Sequence, residues 1–240
     1  MIQNEEKKTS PKQRIIIILI AIFMLGSTFA LYAGIVLNYS NNNDQTISKT
    51  EKQARFEELY DEYEKQIDAQ AAELSSKYFE EFSQYKNRVR SFNREGVDLL
   101  KVNDLKVGTG REIESAEDTD YAAYYIGWIS DETVFDSSFD NISNPTALKE
   151  PLFGSTSMIQ GWLDGIARST EDDGTVNWSG MRIGGVREIT IPSALAYGET
   201  EQGDIPANSP LKFVVMLIEK PTEIEPSEEL SRLYDELMNM

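Results

Sequence analysis

Cysteine and histidine are both absent from this chain of 240 residues. Without cysteine there is no disulfide framework and no thiolate nucleophile. Without either residue the usual zinc ligand sets are excluded, and so is acid–base chemistry centred on an imidazole. Carboxylates alone could hold a hard cation, but no stretch has the regular acidic loop of a calcium site. Basic residues are scarce as well, with 23 Lys and Arg against 41 Asp and Glu, a net charge of −18. The scarcity is uneven. Residues 1–14 hold Lys7, Lys8, Lys12 and Arg14 against Glu5 and Glu6, and residues 15–37 hold no charge, so the remaining body carries −20. Such a body repels phosphate backbones, and no nucleic-acid partner is expected. What the chain does have is 40% hydrophobic residues, enough for one substantial domain with additions.

The long charge-free run is "IIIILIAIFMLGSTFALYAGIVL", Ile15–Leu37. As a helix it would span about 34 Å, enough for a hydrocarbon core of about 30 Å. It exceeds the apolar core of a cleavable signal peptide. Basic residues precede it, and none follows until Lys49. The positive-inside rule therefore predicts a cytoplasmic tail over 1–14, a transmembrane helix over 15–37 and an extracytoplasmic body, a single-pass membrane protein. Gly26, Ala30 and Gly34 share one face of that span, the spacing at which two membrane helices approach closely.

A polar linker, 38–47, leads to a predicted helical stalk over 48–95. "SKTE" has the form of a capping box at Ser48 and Glu51. Apolar residues then recur at Phe56, Tyr60, Tyr63, Ile67, Ala71, Leu74, Tyr78, Phe82, Tyr85, Val89 and Phe92, in steps of 4, 3 and 4. An eleven-residue repeat of this kind keeps one straight seam along a helix. Such a stripe needs a partner. The expected partner is a second copy, giving a homodimer through a coiled-coil stalk; the other possibility is two shorter helices, broken near Ser75 and Ser76, folded onto the following domain. Gly96 is the predicted stop.

From residue 96 to 220 the pattern changes to short strands and turns. "DYAAYYIGWI", "VREITI" and "LKFVVMLIEK" are strands, and "SMIQGWLDGIA" is a short helix. Leu211, Phe213, Val215 and Leu217 alternate as one buried sheet face does. The layout is α+β, an antiparallel sheet of about five strands against one helix. Residues 221–240 contain Leu230, Leu233, Tyr234 and Leu237 behind a candidate N-cap at Ser227, the pattern of a C-terminal amphipathic helix.

Seven segments in order, "LKVGTGREI", "YYIGWI", "VFDSSFD", "MIQGWLDGI", "MRIGGVREITIP", "ALAYGE" and "IPANSPLKFVVML", resemble the FKBP-type peptidyl-prolyl cis-trans isomerases. The resemblance covers Leu105 to about Lys220. It implies a twisted sheet wrapped round the short helix, no cofactor, and proline-containing unfolded or exported polypeptides as partners. It also resolves the missing histidine, because rotating an Xaa–Pro amide requires no proton transfer, only loss of partial double-bond character. Carried over, Tyr125, Phe135, Trp162 and Phe213 would be aromatic walls and floor, with Met158 and Ile159 at the helix entrance. The Ile159 N–H would hold the substrate carbonyl, Tyr197 would donate from its hydroxyl, and Ile205 would form the lip. Asp136 would stand beside the twisting amide; read from its residues alone, it could instead cap the turn "DSS".

Several positions depart from the family pattern. Leu148 and Phe153 stand where two alternating aromatics are usual. Glu132 replaces a hairpin glycine, Asn141 an arginine that pairs with the aspartate, and Asp204 an apolar lip residue. "RSTEDDGTVNWS" is an insertion over 168–179. The expected function is a prolyl isomerase assisting the folding of exported proteins. The alternative is an FKBP-like chaperone or scaffold module with weak or no catalysis.

Strand parity gives a further expectation. If Tyr125 and Phe213 face inward, Tyr124, Ile126, Trp128, Val214, Met216 and Ile218 share the outer face. A contiguous apolar patch of that size needs a cover. The C-terminal helix is the expected cover, ahead of the end of the stalk near Val89 and Phe92, with an external partner third.

Overall fold

The structure, a computed structural model, describes residues 43–239. Helix α1 spans Asn43–Ser83 and ends in a 3-10 turn, Gln84–Arg88. Then come β1 (Lys101–Lys106), β2 (Ala122–Trp128), β3 (Val134–Ser137), β4 (Leu152–Phe153), helix α2 (Gln160–Ile166), β5 (Ser169–Thr170), β6 (Val176–Trp178), β7 (Val186–Ile191), β8 (Leu211–Ile218) and helix α3 (Glu228–Met238). The main sheet is antiparallel in the order β1-β7-β8-β2-β3, with β4 also paired to β2. It has six strands where the sequence suggests about five; the additional one, β4, is a two-residue strand too short to leave a periodic signal. The 168–179 insertion folds as the separate β5–β6 hairpin, turning at Gly174 with φ +86°, a conformation that favours glycine.

Strands β2 and β8 lie side by side, with Tyr125 opposite Val215 and Gly127 opposite Phe213. Both are buried on both faces, which is why they read as near-continuous apolar runs. The inner face packs on α2: Ile189, Ile191, Leu211, Phe213, Val215 and Leu217 form one cluster with Trp162, Leu163 and Ile166. The outer face is the second cluster. There Tyr124, Ile126, Trp128, Val214, Met216 and Ile218 are each at most 1% exposed, as strand parity predicts.

The cover of that outer face is α1 and the chain just after it. Phe82 is fully buried in the cluster, and Leu74, Tyr78, Phe79, Tyr85, Val89 and Phe92 pack against it. Phe82 stacks on Phe139 with centroids 5.4 Å apart, and Tyr78 lies 6.0 Å from Tyr124. Ser75 is small enough to let the helix approach, and its buried Oγ accepts the Leu148 N–H at 2.8 Å. Beyond the turn, Arg88 donates to Glu188 on β7 at 2.9 and 2.7 Å. Higher on the helix, Tyr63 donates to the Ile224 carbonyl at 3.3 Å and Gln70 to that of Thr222 at 2.9 Å.

Four expectations are corrected by this packing. The helix does not run to residue 95 as a free stalk but ends at Ser83, and it is unbroken at Ser75 and Ser76. It is already formed at Asn43, ahead of the cap expected at Ser48. From Leu74 onward the eleven-residue stripe packs on its own chain, so this part of it needs no second copy. The C-terminal helix is not the cover: α3 contributes no residue to the outer cluster. Its start is as expected, with Ser227 Oγ accepting the Leu230 N–H at 3.1 Å.

The membrane localisation is corrected as well. Among the described residues no helix is long and apolar enough to cross a membrane. The long one, α1, interleaves its apolar stripe with charged residues throughout. The segment Ile15–Leu37, with its small-residue face, lies outside the described residues.

Two compact units divide the described chain, one built from residues up to Glu57 and from Arg232 onward, the other from Glu58–Ser231. Within the first, Lys52 pairs with Glu236 at 2.8 Å, and the Phe56 and Tyr234 rings lie 6.5 Å apart.

Candidate active site

Five of the residues singled out in the sequence converge from four elements. Tyr125 comes from β2, Phe135 and Asp136 from β3, Trp162 from α2 and Phe213 from β8. The rings meet edge to face. Trp162 and Phe213 lie 5.2 Å apart at 90°, Phe135 and Phe213 5.5 Å apart at 82°, and Tyr125 and Trp162 5.5 Å apart at 89°. This geometry sets the positive edge of one ring against the negative face of the next. Gly127 makes it possible: a Cβ there would lie 2.6 Å from Phe213 and 2.7 Å from Phe135. The sequence signal was a glycine inside a strand, which marks a close approach.

Asp136 has a partner for each oxygen. Oδ1 accepts the Ser137 N–H at 2.8 Å, and Oδ2 accepts the Tyr125 hydroxyl. The turn cap and the contact with the aromatic cluster therefore coexist in one side chain. The Tyr125 phenol is held protonated, its pKa pushed up by burial first and by the bond to Asp136 second. Ser138, which sequence reasoning left aside, fixes the same strand pair: its Oγ accepts the Tyr125 N–H at 2.9 Å.

Ile159 immediately precedes α2, with φ −59° and ψ 144°, and its carbonyl accepts the Trp162 N–H at 3.0 Å. Its own N–H donates to no acceptor among the described residues. Met158, Ile159, Leu195 and Ala196 pack against the inner cluster, and Ile205 is buried in it. Tyr197 is 38% exposed, yet near enough to Tyr125 to add to the upward push on that phenol.

The departures resolve as follows. Leu148 is buried in the outer cluster and so supplies no wall beside the rings. Phe153 pairs with Ala122 at the far end of β2. Asn141 is engaged in its own turn, accepting from the Ser143 N–H at 2.9 Å. Its neighbour Asp140 accepts from Thr146, and those bonds pull its carboxyl well below the usual range. Glu132 occupies the hairpin at φ +76°, a conformation that strains a residue other than glycine, and its carboxylate accepts the Ser91 N–H at 2.8 Å. A separate cavity of about 230 Å³, lined among others by Asp104, Lys106, Glu112 and Arg182, contains none of these residues.

Residues 111–218 match the family model of the FKBP-type peptidyl-prolyl cis-trans isomerases. The chain is 32% identical over 123 residues to the FK506-binding protein of Neisseria meningitidis serogroup A, covering 50% of this chain and 94% of that protein. The chain belongs to the FKBP-type isomerase family. It is also 38% identical over 123 residues to FK506-binding protein 4 of Aspergillus fumigatus, covering 51% of this chain. It spans only 21% of that longer fungal protein. Among solved structures, that of AtFKBP13 aligns with a TM-score of 0.39 at 32% identity, over 51% of this chain and 93% of that one. The family match, residues 111–218, falls on β2 to β8, α2 and the ring cluster, while α1, the turn after it, β1 and α3 lie outside it.

Proposed function

We propose that the inner ring cluster of this FKBP-type domain binds Xaa–Pro segments of polypeptides and accelerates their cis–trans rotation. The observation that carries the proposal is the edge-to-face set of Tyr125, Phe135, Trp162 and Phe213 with Asp136 at its edge. The planar amide is polar because it is delocalised, and the twisted amide is less so. An apolar, water-poor surface therefore favours the twisted form. A ten-thousandfold acceleration requires about 5.5 kcal/mol, within reach of desolvation joined to one or two directed hydrogen bonds. Trp162 and Phe213 hold the proline ring. The Ile159 N–H holds the substrate carbonyl, and the Tyr197 hydroxyl donates a second bond. Asp136 orients the amide from the edge, and Met158 and Ile205 close the two sides. No step moves a proton, so a chain without histidine or cysteine is equal to it.

The test is refolding of a protein whose slow phase is limited by a native cis proline. Substoichiometric amounts of the chain accelerate that phase. Binding without acceleration would make the domain a chaperone or scaffold rather than an isomerase.

A further inference from the structure

The segment between the 3-10 turn and β1 is stitched to the end of the domain where β2, β3 and β8 meet their loops. The Trp128 indole donates to the Arg90 carbonyl at 3.0 Å, and the Phe92 N–H to that of Ser130 at 3.1 Å. The Ser91 N–H reaches Glu132, and the Lys212 ammonium sits 5.3 Å above the Phe92 ring. These contacts fix where Arg94, two residues on, emerges. Arg94 Nη2 then donates to the Ala207 carbonyl at 2.7 Å.

Ala207 belongs to the loop that follows Tyr197 and carries Ile205. Its bonds are otherwise internal: Asn208 N–H to the Gly198 carbonyl at 2.7 Å, Thr200 N–H to that of Tyr197 at 3.1 Å, and Gln202 and Ile205 to each other. Among the described residues, the Arg94 bond is the one hydrogen bond that reaches residues 199–208 from outside the loop. The loop is otherwise held by the burial of Ile205. Such a loop can swing as a unit about its own ends unless something outside holds it.

We propose that Arg94 is a positioning residue, which holds the Ile205 lip at the distance from the β2–β3 hairpin that a bound prolyl segment requires. Glu132 is its support: the carboxylate that takes Ser91 sets the path of the segment bearing Arg94. This explains why the left-handed hairpin position holds glutamate rather than glycine. The inference rests on the inner cluster being the prolyl site.

The test uses the full-length chain with Arg94→Ala, Arg94→Lys and Glu132→Gly, a chromogenic prolyl tetrapeptide as probe, and amide hydrogen exchange as a readout independent of catalysis. Arg94→Ala raises exchange across residues 199–208 and raises KM about fivefold, with kcat changed less than about twofold, and Arg94→Lys restores most of both. Glu132→Gly moves KM in the same direction, to a smaller extent. Unaltered exchange at 199–208 in Arg94→Ala overturns the tether. Faster exchange with unaltered KM overturns its role in substrate binding. A parent chain without isomerase activity would sink the proposed function instead; peptide Kd would then replace KM, with the same two outcomes deciding the role of Arg94.

Discussion

The two faces of the β2–β8 pair are made of similar residues and meet different partners. On the inner face, Tyr125 and Phe213 turn toward a helix of seven residues, with Asp136 exposed beside them. On the outer face, Tyr124 and Val214 turn toward a helix of 41 residues and are excluded from water. Tyr125 and Phe135 keep part of their surface open, where a ligand can meet them, whereas a ring sealed on all sides contributes stability. Burial of a large apolar side chain stabilises by roughly 1.5–3 kcal/mol, so the outer cluster is a major part of what keeps the inner face in shape.

The sharpest way to break this comparison is at Phe82, the fully buried centre of the outer contact. Phe82→Ala should destabilise the fold by about 3–5 kcal/mol, read as a shift of the urea midpoint. A shift below about 1 kcal/mol would mean that α1 does not seal this face. Next is Ser75→Ala, which strands the buried Leu148 N–H. A loss of about 1–3 kcal/mol is expected in the same experiment.

On the inner face the effect should appear in turnover. Phe135→Ala should lower kcat/KM at least tenfold, about 1.4 kcal/mol of transition-state stabilisation. Asp136→Val should cost more than Asp136→Asn, because the amide retains shape and polarity. Equal turnover in all three variants and the parent would remove these residues from the site.

The smallest effect is expected at Tyr124, whose buried hydroxyl has no hydrogen-bond partner among the described residues. Tyr124→Phe should be neutral or slightly stabilising, since it removes a polar atom that nothing satisfies. Burial also pushes the Tyr124 pKa up. The unfolded phenol ionises near its ordinary value of about 10 while the folded one stays protonated, so stability falls as pH rises past about 10. Tyr124→Phe should blunt that alkaline loss, and an identical alkaline profile would argue that the hydroxyl is solvated.

How much of this was legible in the sequence differs between the faces. The inner ring cluster was legible because its residues carry identity as well as period. Tyr125, Phe135, Asp136, Trp162 and Phe213 fall in ordered motifs, and strand alternation assigns Tyr125 and Phe213 to the inner face. The outer face was half legible. Parity gave its six residues, and size gave the need for a cover. The cover itself was not determined, because the stripe on α1 and the stripe on α3 have the same helical period, and period does not encode the surface a stripe meets. The detail that separates them is Ser75, a small polar residue within an apolar stripe. It becomes informative only once Leu148, far along the chain, is seen to present its N–H there. Glu132 was visible as a misfit, and its reason lay in a backbone N–H that no side-chain pattern reveals.

If one sheet carries turnover on its inner face and support on its outer face, the two properties can be broken separately. Phe82→Ala and Asp136→Val are each measured for kcat/KM at low temperature, where both are folded, and for melting temperature. The expected result is that Phe82→Ala melts many degrees lower yet turns over within about twofold of the parent, while Asp136→Val melts within about two degrees of the parent yet loses about tenfold or more in kcat/KM. Loss of both properties together in each variant would contradict it.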